Sequence, residues 1–268
     1  MTSTKTWRAG LVSVSAVVMA LGTLMGFGLI GTRVEESSGG AFAADATLVT
    51  PASPAFSLWS LIYVGLIGYV IWQWRSSERA ARIWWLAAVS MVLNAAWLAV
   101  TQVGWLAVSV LVILGLALVL GLILRRLGES PPGSTVEAIV VDGTFGVYLG
   151  WVSVASVANV AAVLVADGVD PGAGWTQALA LIVLAVAALL GSWFAVRLGG
   201  RWAVAAAMTW ALAWIAVGRL TDSPRSVLTA VAAIVAALII LSTTAVVRAR
   251  RGAASDTHHG LAAGGRNG

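Results

Sequence analysis

Eight apolar stretches, each long enough to cross a hydrocarbon layer, constrain this chain more than any other feature. A membrane-crossing helix needs roughly 20 consecutive apolar residues. Candidates lie at about 11–31, 55–74, 83–101, 103–124, 140–166, 175–195, 202–218 and 226–247. All six prolines (Pro51, Pro54, Pro131, Pro132, Pro171 and Pro224) fall between these spans. Proline breaks helices, so their placement supports the parsing. In lipid every backbone polar group needs a partner, and a helix provides one within a single segment. Only 10% of the residues are charged, against roughly a quarter in a soluble domain. The expected fold class is therefore all-α: a polytopic transmembrane helical bundle of about eight spans.

The basic residues give the topology. Lys5, Arg8, Arg75, Arg79, Arg82, Arg125, Arg126, Arg197, Arg201, Arg248, Arg250, Arg251 and Arg266 fall on one side of an eight-span alternation. Arg33, Arg219 and Arg225 fall on the other. Basic residues concentrate in cytoplasmic loops, so both termini are expected in the cytoplasm of a multi-pass plasma-membrane protein. Removing one span would scramble the asymmetry. The net charge of +5 does not point to nucleic acid, because the arginines lie in short runs between spans. Lys5, Arg8, the first apolar run and GGAFAADA also have the order of a signal peptide. That reading is disfavoured, because the run is long enough to span and polar residues separate it from Ala41-Phe42-Ala43. Residues 32–54 are then an external loop, and 248–268 a disordered basic tail whose arginines lie near anionic headgroups.

Several chemistries are excluded. There is no cysteine, so disulfides, thiolate catalysis and iron–sulfur ligation are out. Both histidines, His258 and His259, lie in the tail, which removes bis-histidine haem and His-box sites. The one lysine is Lys5, so no retinal Schiff base can form mid-helix. No paired carboxylates or DDxxD motif is present. No catalytic residue, metal site or resident cofactor is assigned, and an enzyme is the less favoured class.

What remains are polar and aromatic residues inside the spans. In YLGWVSVASVAN, with Tyr148 at zero and about 100° per residue, Trp151 lies at about −60°, Ala155 at about −20° and Asn159 at about +20°. The four share one face, with small Ala155 leaving a notch. In the third span Asn94 and Trp97 share a face, and in the second Trp59 and Tyr63 stand at i and i+4. An unpaired amide in hydrocarbon costs several kcal/mol, so these faces should turn into the bundle. Two readings stand. Asn94 and Asn159 either join helices or line a pocket. Trp7, Trp72, Trp74, Trp84, Trp85, Trp105, Trp175 and Trp202, near span ends, read as an interfacial belt. Trp210 and Trp214 either extend a pocket or pack. Asp142, before Gly143 and Thr144, reads as a helix N-cap, with a proton or ion site as the alternative. Gly22 and Gly26 form a GxxxG pair that signals close helix contact.

The stretches PASPAFSLWSLIY, LNAAW and YLGWVSVASVAN, in that order on the second, third and fifth spans, resemble the tryptophan-rich sensory protein family (TspO/MBR, translocator or peripheral benzodiazepine receptor-like). The matching motifs are W-x-x-x-Y (Trp59, Tyr63), L-N-x-x-W (Asn94, Trp97) and Y-x-x-W-x-x-x-A-x-x-x-N (Tyr148, Trp151, Ala155, Asn159). The resemblance implies a TspO-like five-helix core over residues 1–166 with a pocket under the first loop. Three additional helices over 167–247 would lie outside that core, as a lid, a dimer interface or a second unit. It further implies that these eight residues bind a flat hydrophobic molecule such as a porphyrin, sterol, carotenoid or other isoprenoid, for sensing or translocation. A homodimer is left open. The chain departs from the family at Pro54, Val147 and Leu98, where a tryptophan, a proline and a serine are usual. The missing loop tryptophan weakens any inference of tryptophan-dependent porphyrin breakdown. The alternatives are a secondary transporter of a small hydrophobic metabolite, or a membrane enzyme acting on such a ligand.

Overall fold

Serine and glycine punctuate the helices. Ser77 begins the third span by accepting a hydrogen bond from the Ala80 amide at 3.2 Å, and Ser134 begins the fifth by accepting from Glu137 at 3.1 Å. Gly199, in the left-handed region at φ 80°, ends the sixth. The computed structural model describes residues 2–264 apart from 27, 30, 76, 170 and 171. Pro171 and Arg266 thus lie outside the described residues. The elements are α1 (Thr2–Gly26), α2 (Leu58–Gln73), α3 (Glu78–Gln102), α4 (Leu106–Leu127), the single turn α5 (Thr135–Glu137), α6 (Thr144–Ala166), α7 (Ala173–Leu198), α8 (Trp202–Thr221) and α9 (Val227–Gly264). A π-helical stretch, Ala138–Gly143, joins α5 to α6, giving one continuous fifth span. Among the described residues, eight helical segments are long and apolar enough to cross a membrane, as the sequence predicts.

Two boundaries differ from expectation. The first spanning segment begins at Thr4, because the polar residues before the apolar run continue the same helix. Helix α9 extends to Gly264 through much of the segment expected to be disordered. That segment is rich in alanine and arginine, both strong helix formers.

The helices pack in the order α1, α3, α4, α6, α8, α9, α7, while α2 lies against α1, α3 and α6. The three later spans therefore dock on the first five chiefly through α8 against α6. Small residues set the closest approaches, as expected where lipid supplies no hydrophobic drive between helices. A Cβ at Gly22 would lie 2.9 Å from Ala95 Cα, and one at Gly26 would lie 2.9 Å from the Leu98 side chain. The GxxxG pair thus seats α1 on α3. A Cβ at Gly150 would overlap the Val204 carbonyl oxygen and lie 2.8 Å from Ala207 Cβ. Gly150→Leu is accordingly expected to destabilise the fold by about 1–3 kcal/mol through overpacking. Gly115→Leu, where the added carbon meets nothing within 4 Å, should be near neutral in the same detergent melt.

At the arginine-rich end of the bundle, Asp142 accepts from Arg79 through both carboxylate oxygens, at 2.5 and 2.7 Å, and from Arg201. The relative exposures of Arg79, Asp142 and Arg201 are 7%, 16% and 17%. Arg79 also donates to the Leu127 and Ser130 carbonyls at 2.7 and 2.9 Å, satisfying the end of α4 with a cation where its dipole favours one. The N-cap expected of Asp142 is not found. It lies inside the π-helical stretch, and its carboxylate joins α3, the fifth span and the start of α8. Nearby, Glu137 accepts from Ser77 Oγ at 2.5 Å and the Gly133 amide at 2.8 Å.

Candidate functional site

The W-x-x-x-Y spacing places Trp59 and Tyr63 one helical turn apart on α2, and their rings stack at 5.6 Å and 17°. Trp59 is the hub of an aromatic cluster. Trp97 of α3 stacks on it at 6.1 Å, while Tyr148 and Trp151 of α6 each meet it edge-on at 6.0 Å. The second, third and fifth spans thus converge on one ring. Asn94 is fully buried behind the cluster and accepts from the Tyr63 hydroxyl at a long 3.4 Å. The Tyr148 hydroxyl reaches the Ser90 carbonyl at 3.5 Å. Asn159 Nδ2 donates to Ser109 Oγ of α4 at 3.0 Å, so this asparagine does join helices.

Two cavities flank Trp59. The outer one, about 260 Å³, opens between α1 and α2 and is lined by Thr23, Arg33, Glu35, Phe56, Ser60 and Tyr63 among others. The inner one, about 40 Å³, is almost wholly apolar. Its walls include Trp97, Trp151, Ala155, Asn159, Phe42 and Ala211. Trp59, Phe56 and Val34 belong to both and form the partition. Of the eight residues picked from the sequence, five line the inner cavity (Trp59, Trp97, Trp151, Ala155 and Asn159), and Tyr63 lines the outer. Asn94 and Tyr148 support the cluster from behind.

The polar inventory is lopsided. Trp97 Nε1, Trp151 Nε1 and Asn94 Nδ2 are buried without a hydrogen-bond partner. Each such group costs about 1–3 kcal/mol. Native folds rarely tolerate this, and here three donors lie in one cluster. Among the described residues, no group of His, Cys, Asp or Glu is arranged to hold a metal ion.

The loop over the site is a packed cap. Val34, Phe42, Val49 and Ala52 are buried, and Phe42 meets Trp97 edge-on at 6.0 Å. Phe56 meets Trp151 in the same way at 5.7 Å. The cap is fastened to α8. The Ala52 amide donates to the Trp214 carbonyl at 3.2 Å, and Trp210 Nε1 donates to the Ala55 carbonyl at 3.1 Å. Arg219, 0% exposed, donates to the carbonyls of Thr47 at 3.0 Å, Ala44 at 2.7 Å and Pro224 at 3.0 Å. The sequence reading placed Arg219 in a loop between spans. It is instead the last-turn arginine of α8, covered by the cap. Phe42, Phe56, Trp210, Ala211 and Arg219 were not read as site residues. The Trp210/Trp214 pair was the one hint; neither ring lines either of these cavities, and Trp210 holds the cap through its hydrogen bond to Ala55.

A protein-family model described as TSPO-like protein matches residues 6–245, from the first span into the eighth. The three later spans lie inside that match. No curated protein and no solved structure matches the chain. With eight helices among the described residues long and apolar enough to cross a membrane, the three motifs gathered round Trp59 and a match over most of its length, this integral membrane protein belongs to the TSPO-like family.

Proposed function

We propose that the protein binds a flat, largely apolar molecule carrying hydrogen-bond acceptors in the aromatic pocket beneath the cap. A tetrapyrrole is the first choice, with sterols and isoprenoids as the related classes. The carrying observation is the pair of buried, unpartnered donors on residues that line the inner cavity, Trp97 Nε1 and Trp151 Nε1, beside a stacked aromatic wall. Acceptors on a ligand would satisfy them, and the rings would cover its faces. Binding sites of this kind are mostly apolar with a few convergent polar groups, and occupy roughly 300–1,000 Å³. The cavities of about 260 and 40 Å³ reach only the lower edge of that range together. A tetrapyrrole therefore requires the Trp59–Phe56 partition or the cap to move. The arginine asymmetry supports a plasma-membrane orientation with both termini cytoplasmic and the cap outside.

The test is a titration of detergent-solubilised protein with protoporphyrin IX, read by Soret absorbance. Trp97→Phe and Trp151→Phe delete the N–H groups but keep an aromatic ring. Each is expected to weaken saturable binding by about threefold to tenfold, one hydrogen bond's worth. Binding that neither change affects would remove the ligand from this pocket. If folded wild type binds neither porphyrin, sterol nor carotenoid, the reading fails. Flux into loaded proteoliposomes then separates binding from translocation.

A further inference from the structure

On the opposite flank from α1 and α2, a groove of about 900 Å³ runs between α4, α6 and α7. It exists because α7 packs mainly on α9 and touches α6 only sparsely. Its walls are mostly apolar, with the Ser153 and Ser156 hydroxyls bonded back to α6 carbonyls, and face the hydrocarbon: Leu118 is 66% exposed, Val186 48% and Trp193 53%. At Gly121 on its α4 wall an added Cβ would meet nothing within 4 Å, so the depression is open space. Its lining is charged at two residues, Arg125 in the last turn of α4 and Arg197 in the last turn of α7. Both lie at the arginine-rich end. Both are exposed, and among the described residues neither side chain makes an ion pair.

We propose that this groove holds one anionic phospholipid, with an acyl chain along α4 and α7 and the phosphate between Arg125 and Arg197. The argument rests on charge and shape. An apolar trough that ends in two cations, at the depth where headgroups begin, complements a molecule with an apolar tail and an anionic head. The two arginines stand on different helices, so a shared phosphate would also bridge a seam that direct packing leaves open. The proposal is independent of what the aromatic pocket takes.

Native mass spectrometry of the full chain, released from detergent after incubation with palmitoyl-oleoyl phosphatidylglycerol or the matching phosphatidylcholine, tests it. Wild type is expected to retain one phosphatidylglycerol in clear preference to phosphatidylcholine. Arg125→Gln and Arg197→Gln should each lower that preference roughly fivefold. The charge-matched change Arg75→Gln, remote from the groove, should leave it intact. Gly121→Leu fills the trough without a clash and should reduce retention of phosphatidylglycerol while the melting temperature holds. Equal retention of the two lipids overturns the proposal. So does a preference that survives the double Arg→Gln change, retention untouched by Gly121→Leu, or a second copy of the chain covering the groove in place of lipid.

Discussion

Asp142→Asn is expected to cost the fold about 2–3 kcal/mol, somewhat below the penalty of roughly 3–5 kcal/mol for removing one partner of a fully buried ion pair, because Asp142 and Arg201 are part-buried. Asparagine keeps the shape and loses the charge. Arg79 and Arg201 are then left facing each other, 7% and 17% exposed, with no carboxylate between them. Thermal unfolding in detergent, followed by tryptophan fluorescence, measures the loss. Asp142→Leu combined with Arg79→Met should be less damaging than Asp142→Leu alone, since it removes one charge of each sign, whereas Arg79→Met alone keeps the Asp142–Arg201 pair. If Asp142→Asn melts within a degree of wild type, the cluster is solvated and holds nothing.

Arg219→Ala is the second large effect. It removes three charge-assisted hydrogen bonds, to the Ala44, Thr47 and Pro224 carbonyls, of which Thr47 keeps only a long 3.4 Å bond from the Thr50 amide. With charged donors worth about 1.5–3 kcal/mol each, partly offset by relief from burying the guanidinium, the net loss should be about 2–4 kcal/mol. The damage should be local, with protease cutting within 41–52 much faster while the arginine-rich end stays protected. Arg219→Lys should not rescue the cap, because one ammonium cannot span three carbonyls as a planar fork does. Arg201 and Arg219 stand at opposite ends of α8, roughly 27 Å apart at 1.5 Å per residue. Combined with Asp142→Asn, the two losses should therefore add. Equal cleavage of the cap in wild type and Arg219→Ala would show that the aromatic contacts alone keep it shut.

The span count and the grouping of aromatic and polar residues on single helix faces were legible because both are periodic. Apolar length reports a helix, and i, i+3 and i+4 spacing reports a face. Trp59, Tyr63, Trp97 and Trp151 could be picked out because each shares its helix face with a second polar or aromatic residue. The cap's contacts carry no period. Nothing in the spacing of Phe42 or Phe56 says which ring each will meet, and an arginine near a span end looks the same whether it faces water or the underside of a loop. Asp142 misled for a related reason. Its local sequence suits a cap, but the residues that claim its carboxylate, Arg79 and Arg201, lie in other helices. The motif comparison also favoured a boundary at residue 166, whereas α8 supplies both a wall of the inner cavity and the fastenings of the cap.

On the proposed reading, those fastenings would make the pocket size-selective. A molecule that fits the existing cavities leaves the contacts between cap and α8 intact. A larger one must break some of them, and its affinity falls by whatever the cap's closure is worth. Discrimination among flat ligands would then depend on α8, and loosening Arg219 would broaden what the site accepts.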